Sequence, residues 1–450
     1  GVTRLAHFSG VELGAFTRQE TEQLIALKLE QFSGAEAEVP PGLVERIAER
    51  AEGNPFYVEE LMNYLRDRGI DPRESRAWQG LDLPASLDKL ILSRLDQRTE
   101  SQKTVLRVAS VIGRVFRAVL LWATYPEVGT RERVLADLEA LCRLDLTRAD
   151  TPEPELAYLF KHIVTQEVAY QSLPYAIRSR LHGQLAQHIE ETYADALDQY
   201  VDLLAFHYDC SENQPKRREY LLKAADAAQA DYANQAAMDY YQRLLPLLPP
   251  EERVPVMLKL GHVLELVGEW VEAEDRYREA LALAEEMWDE PSRASSQAAL
   301  GELKRKQGQY DDAAGWFDQA RAGFAQLADQ AGSGQVLQYA GTLAAQQGDY
   351  ETARQLWGES LVIRQELDDK AHISALYNNL GLVAHWEGDL DAAREFYEQS
   401  LEIHHELGDK WALAISLNNL GYLAIEQKDY EWARMQLRAS LNLQREVGDR

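Results

Sequence analysis

Residues 376–410 read LYNNLGLVAHWEGDLDAAREFYEQSLEIHHELGDK, and residues 416–450 read SLNNLGYLAIEQKDYEWARMQLRASLNLQREVGDR. The two align position for position at an offset of forty. Working outward, glycines recur at Gly261, Gly301, Gly341, Gly381 and Gly421. Twelve residues past each stands an alanine: Ala273, Ala313, Ala353, Ala393 and Ala433. Sixteen past comes a bulky apolar side chain, at Tyr277, Phe317, Trp357, Tyr397 and Leu437. Nineteen past is a small one, at Ala280, Ala320, Ser360, Ser400 and Ser440. An acidic residue closes each period at Asp289, Asp329, Asp369, Asp409 and Asp449.

This spacing predicts pairs of antiparallel helices in close contact. A glycine lets two backbones approach, and the bulky residue of the second helix fills the space beside it. Steps such as Gly308-Gln309, Gly348-Asp349 and Gly388-Asp389 supply a permissive turn and a capping position. One pair alone leaves its apolar face open, so the copies must stack. A weaker sixth unit is expected at Ala225, Ala237 and Tyr241, offset by 36.

The pattern resembles the tetratricopeptide repeat in a long, forty-residue form. The resemblance implies a right-handed superhelix with an inner groove, and the additional residues are expected in the second helix and its exit turn. Asn378 and Asn418 precede their glycines by three, on the first helix near the inner surface. Two roles are open to them: pairing with the backbone of a bound peptide, or bridging adjacent helices inside the stack. His385, Trp386 and Tyr422 stand nearby, either as a contact surface for a protein or peptide partner or as core.

The rest of the chain reads differently. Thr17 and Glu20 form a capping-box pattern ahead of a helix, and further helices are expected from Pro41 to Ala51 and after EGNPF. The stretch GLVERIAERAEGNPFYVEELMNYLRDRGI (42–70) resembles the helical lid of the signal-transducing ATPases with numerous domains (STAND), a branch of the AAA+ superfamily. In that family a Gly-x-Pro turn leans on the adenine ring, and the matching residues here are Gly53, Asn54 and Pro55. The residues alone also fit an ordinary turn opening a helix. Residues 83–116, a helix near 130–141 and strands near 144–148 and 155–160 resemble the winged-helix domain that follows this lid. The segment LFKHIVTQEVAYQSLPYAIRSRLHGQLAQHIE (159–190) resembles the family segment whose histidine touches the β-phosphate of ADP. His162 matches it, although Ile163 stands where that segment most often has Asp. The phrasing is also similar to modules behind bacterial class III adenylate and guanylate cyclase domains.

The resulting expectation is a mainly α chain. It has a lid over 1–80, a winged helix over 81–173, a helical connector with a divergent first repeat over 174–250, and forty-residue repeats over 251–450. Beginning at GVTRLAHF without Met and stopping at Arg450 inside a repeat-ending step, it is expected to be cut from a longer parent.

Composition narrows the function. The chain has 450 residues, 46% of them apolar, and a net charge of −27. Acidic residues outnumber basic ones 36 to 19 over 251–450, while 84–173 holds 12 of each. Neither region offers the basic field that phosphate backbones require, so nucleic acid is not an expected partner. That weighs against a transcription regulator with a DNA-binding winged helix, one alternative; a non-enzymatic adaptor is another. No run of about 20 apolar residues predicts a membrane span. Two cysteines, Cys142 and Cys210, fit a reducing cytoplasm. No G-x-x-x-x-G-K-[ST] motif occurs, and no zinc spacing, nucleophile elbow or catalytic triad can be built from the ten histidines. No cofactor, metal or catalytic residue is expected in this chain. ATP or ADP, and oligomerisation on activation, would belong to the parent. The function implied is the regulatory and sensor part of a signal-transduction ATPase.

Overall fold

The computed structural model of the chain describes residues 14–33, 39–74, 81, 83–152 and 154–446. The chain divides into two compact units, Gly1–Tyr220 and Leu221–Arg450.

The first unit opens with helices α1 (Arg18–Ser33), α2 (Pro41–Ala51) and α3 (Pro55–Asp67). The capping box is formed: the Thr17 amide donates to Glu20 Oε2 at 2.7 Å and the Glu20 amide donates to Thr17 Oγ1 at 3.3 Å. Apolar side chains of all three helices, among them Ile25, Leu43, Ile47, Val58 and Leu61, share one core with Leu83 and Leu90. Helices α4 (Leu87–Asp96) and α5 (Glu100–Ile112) follow. Next come β1 (Val115–Arg117), α6 (Ala118–Thr124), α7 (Arg131–Arg143), β2 (Thr147–Thr151) and β3 (Ala157–Phe160). The strands form one antiparallel sheet in the order β1-β3-β2, with Val115 opposite Leu159 and Thr147 opposite Phe160.

Strand β1 was not expected, because three residues carry too little alternation to be read; only Phe116 points inward. The second strand begins at Thr147 rather than at 144. Asp145 has φ +58°, and the amides of Asp145 and Leu146 turn back to the carbonyls of Cys142 and Leu141. That left-handed turn closes α7 before any strand can start. Helices α8 (Ile163–Gln171), α9 (Tyr175–Thr192) and α10 (Val201–Asp209) complete the run.

Helices α11 (Gln214–Ala230) and α12 (Asn234–Leu244) precede the regular stack. The stack runs α13 (Pro250–Val267), α14 (Trp270–Met287), α15 (Glu290–Lys306), α16 (Tyr310–Gln326), α17 (Gln330–Gln346) and α18 (Tyr350–Glu366). It continues α19 (Lys370–Trp386), α20 (Leu390–Leu407), α21 (Lys410–Glu426) and α22 (Tyr430–Glu446). Helices α13–α22 have 17 or 18 residues each. The length of the repeat is therefore shared equally between its two helices, not placed in the second helix and its exit as expected.

The glycines act as the spacing predicts. A Cβ on Gly301, Gly341, Gly381 or Gly421 would stand 2.5–2.7 Å from the side chain of Phe317, Trp357, Tyr397 or Leu437. Ala273, Ala313, Ala353 and Ala393 are fully buried beside them, and so are Ala225, Ala237 and Tyr241 of the preceding unit. Asp289, Asp329, Asp369 and Asp409 each accept a backbone N–H three residues on, capping the next first helix. Asp349 and Asp389 cap second helices the same way, while Gln309 makes no such bond.

Candidate functional site

Two places in the molecule gather the residues singled out by sequence. The first lies at the start of α3. Gly53 has φ +77°, and a Cβ there would fall 2.7 Å from Ala15 Cβ and 2.9 Å from the Phe16 carbonyl oxygen. The Phe16 amide donates to the Gly53 carbonyl at 2.8 Å. Asn54 Oδ1 accepts the Phe56 amide at 3.0 Å, and Pro55 occupies the first helical turn, where its missing N–H costs nothing. All three residues thus have local reasons for their identity. They also lift Phe56, half exposed, to the surface.

His162 follows β3 and is the residue from which α8 starts. Its ring packs edge-on against Phe56 with centroids 4.8 Å apart. The fold therefore brings His162 and the Gly53–Pro55 turn to one place across more than a hundred residues of sequence. His162 Nε2 stands 3.3 Å from Glu59 Oε2, at ion-pair distance but without hydrogen-bond alignment. Lys28 Nζ and Lys161 Nζ lie 2.6 and 2.7 Å from Glu59 Oε1. The imidazole of His162, with Lys161 and Lys28, holds the Glu59 carboxyl well below the usual carboxylate range despite its burial. Lys161 and Lys28 also approach Asp145. Phe56, Glu59, Lys28 and Lys161 were missed in the sequence. The only local signal was a Lys directly before His162.

The second place is the wall built by α19 and α21, the first helices of two successive repeats. Along α19, Leu382 stands four residues past Asn378, with His385 and Trp386 three and four past Leu382; along α21, Tyr422 stands four past Asn418, with Ile425 and Glu426 three and four past Tyr422. Asn419 Nδ2 donates to Asn378 Oδ1 at 2.8 Å, and His385 Nε2 lies 3.1 Å from Glu426 Oε2. Asn378 thus bridges helices through its oxygen. Asn418, half-buried, makes no side-chain hydrogen bond among the described residues. Trp386 and Tyr422 are 57% and 56% exposed, which places them on the surface and not in the core. Trp386 also packs on Tyr350, with ring centroids 5.5 Å apart.

Among the described residues no three His, Cys, Asp or Glu side chains are grouped to hold a metal, and no helix is long and apolar enough to cross a membrane.

The tetratricopeptide repeat family matches residues 253–326 and 372–446, so these are tetratricopeptide repeats. No curated protein matches the chain in sequence. Among solved structures, the chain is similar to a Signal Transduction ATPase with Numerous Domains (STAND) protein with a tetratricopeptide repeat sensor from Pyrococcus horikoshii. The TM-score is 0.54 at 13% identity, over 98% of this chain and 61% of that one. This chain thus spans less than two thirds of that protein's length, and at such identity the likeness concerns fold. BtubC from P. vanneervenii is 22% identical over 51% of this chain and 93% of its own, with a TM-score of 0.42. The Rap conjugation gene regulator of plasmid pLS20, solved with the Phr* peptide, is 13% identical over 61% and 93%, with a TM-score of 0.44.

Proposed function

We propose that this chain is the sensing and coupling part of a cytoplasmic multidomain signal-transduction ATPase. In this reading the repeats take a protein or peptide on their inner wall. Helices α1–α3 are the lid of a nucleotide-binding domain, and residues 81–173 are a winged helix used structurally. The observation that carries the reading is the contact of Phe56 with His162. It brings the Gly53-Asn54-Pro55 turn and the histidine to one place, which suits a single nucleotide meeting the turn with its base and His162 with its phosphates. The chain has no phosphate-binding glycine loop of its own, so in this reading nucleotide binding and hydrolysis require another domain of the parent.

The α7 face supports structural use over DNA contact. Arg131, Arg133 and Arg143 are exposed there together with Glu132 and Glu139, a mixed field that offers phosphate little net attraction.

Reading the encoding gene upstream of residue 1 tests the proposal at its root: a P-loop ATPase domain is expected there. If it is present, calorimetry should show ADP binding to the joined protein and none to residues 1–450. The change His162→Ala should weaken that binding about tenfold, on the order of one charge-assisted hydrogen bond. An upstream region without a P-loop would leave a tetratricopeptide adaptor in its place.

A further inference from the structure

The wall of α19 and α21 is chemically lopsided. Residues 371–386 and 411–426 contain no Lys or Arg, and Glu426 is their one Asp or Glu. Its side chain is 56% exposed. It is braced from behind by His385, whose own side chain is only 15% exposed. Tyr422 stands one helical turn before Glu426, and Trp386 directly follows the histidine that touches it. Two exposed aromatic rings and an anchored carboxylate thus share one patch. The surroundings carry the same sign: residues 371–430 hold ten acidic and three basic side chains.

Aromatic faces and carboxylates both attract cations, and arginine best matches the two together. Within its own stack the chain already sets an arginine over an aromatic ring, with an amide oxygen in place of the carboxylate. The Arg394 guanidinium lies 4.4 Å over the Trp432 ring and donates to Gln427. Beside the patch, the unbonded amide of Asn418 offers a donor and an acceptor to a passing backbone, and Leu382 and Ile425 offer apolar surface.

We propose that this wall binds an extended peptide segment in which a basic side chain, arginine before lysine, sits against Trp386 and Tyr422 and pairs with Glu426. The segment's backbone meets Asn418 and its apolar neighbours meet Leu382 and Ile425. The inference rests on the proposed use of the repeats as a peptide-binding surface and names the class of peptide. Acidic surroundings favour the encounter of a basic segment and repel acidic ones.

The test is fluorescence anisotropy of residues 1–450 with labelled short peptides alternating Arg and Leu, Ser and Leu, or Glu and Leu. Ionic strength is held at about 0.15 M, where attraction beyond about 8 Å is screened. The Arg–Leu peptide is expected to bind and the Glu–Leu peptide not to. Glu426→Gln and Trp386→Ala should each weaken binding about tenfold, a loss on the order of 1.4 kcal/mol. Glu402→Gln, exposed on α20, should leave it unchanged, with circular dichroism checking that each variant is folded. Equal losses in Glu402→Gln and Glu426→Gln would overturn the site and leave only general attraction to an acidic protein. Equal binding of the Ser–Leu peptide would overturn the basic class while the peptide-binding reading stands. Binding by none of the three would remove both.

Discussion

Gly341 lies so close to Trp357 that a methyl group on its Cα would meet Cδ1 and Nε1 of the indole at 2.7 Å. The ring has nowhere to retreat. It is 3% exposed, and its N–H donates to the Gln338 carbonyl at 3.1 Å. Overpacking a core of this kind costs about 1–3 kcal/mol, against at most about 1 kcal/mol gained from helix propensity. Gly341→Ala should therefore lower stability in urea titration. Gly358→Ala, where a Cβ meets nothing within 4 Å, should raise it by up to about 1 kcal/mol. Equal stability of the two variants would mean that the two helices do not approach as described.

A second prediction concerns the turn inside each repeat. Gly268, Gly308, Gly348 and Gly388 all hold a left-handed backbone there, and in the last repeat Lys428 does so at φ +63°. An L side chain in that region costs about 1–2 kcal/mol relative to glycine, partly offset by glycine's greater freedom when unfolded. Lys428→Gly should slow hydrogen exchange in α21 and α22, and Gly388→Ala should speed it in α19 and α20. A destabilised Lys428→Gly would mean that the lysine makes contacts which compensate its backbone.

How much could be read from the sequence follows from how each feature is encoded. Gly301 and Phe317 act within one repeat, Asp369 and His372 at the junction of two, and the same environment recurs every forty residues, so spacing exposes them. The capping box at Thr17 is local as well. The cluster at Glu59 joins Lys28, Lys161 and His162 from three separate stretches, and no periodicity marks it. For the asparagines, register showed the helix face but not the partner: Asn378 pairs with Asn419, one position off the expected equivalence to Asn418. Strand β1 owes its form to β3, forty residues on, and three residues cannot announce a strand alone.

The buried pair His182 and His207 should make the first unit acid-sensitive. Their Nδ1 atoms are 2.7 Å apart, and both side chains are about 1% exposed. Tyr170 Oη bonds His182 Nε2 at 3.0 Å, while His207 Nε2 is buried without a partner among the described residues. Burial, with Arg178 nearby, pushes His182 down to about 4. Burial, with His182 beside it, pushes His207 down to about 3. The unfolded chain takes up protons near pH 6.5 that the folded chain refuses. Stability is then complete above that pH and falls as pH drops toward 4, by up to about 2.7 kcal/mol per pH unit for two protons. Urea midpoints at pH 7 and pH 5 measure this, and His207→Leu should flatten the dependence. An unchanged slope in that variant would place the titrating groups elsewhere.

Asn378 and Asn418 should part company when replaced by alanine. Asn418→Ala breaks no internal hydrogen bond, so it should reduce binding of the Arg–Leu peptide at nearly constant melting temperature. Asn378→Ala strips Asn419 of its acceptor, and a part-buried donor left without one costs about 1–3 kcal/mol. Its melting temperature should fall, and peptide binding should change little at temperatures where it is folded. The reverse order in the two variants would assign the bridge and the contact the other way round.

The surroundings of Arg94 fix where this protein does not bend. This fully buried guanidinium, from α4, reaches Glu60 and Asp67 of α3, the latter at 3.0 Å, and donates to the Leu144 carbonyl just past α7. Arg98 adds a second cation to Asp67. Pulling α3 away from α4 and α7 would strand two carboxylates and a guanidinium in a dry interior, a penalty of about 3–5 kcal/mol for even one broken pair. Those three segments must travel as a single block through any conformational cycle. The charged knot is a rivet rather than a hinge, and a joint that opens on signalling has to be sought on either side of it.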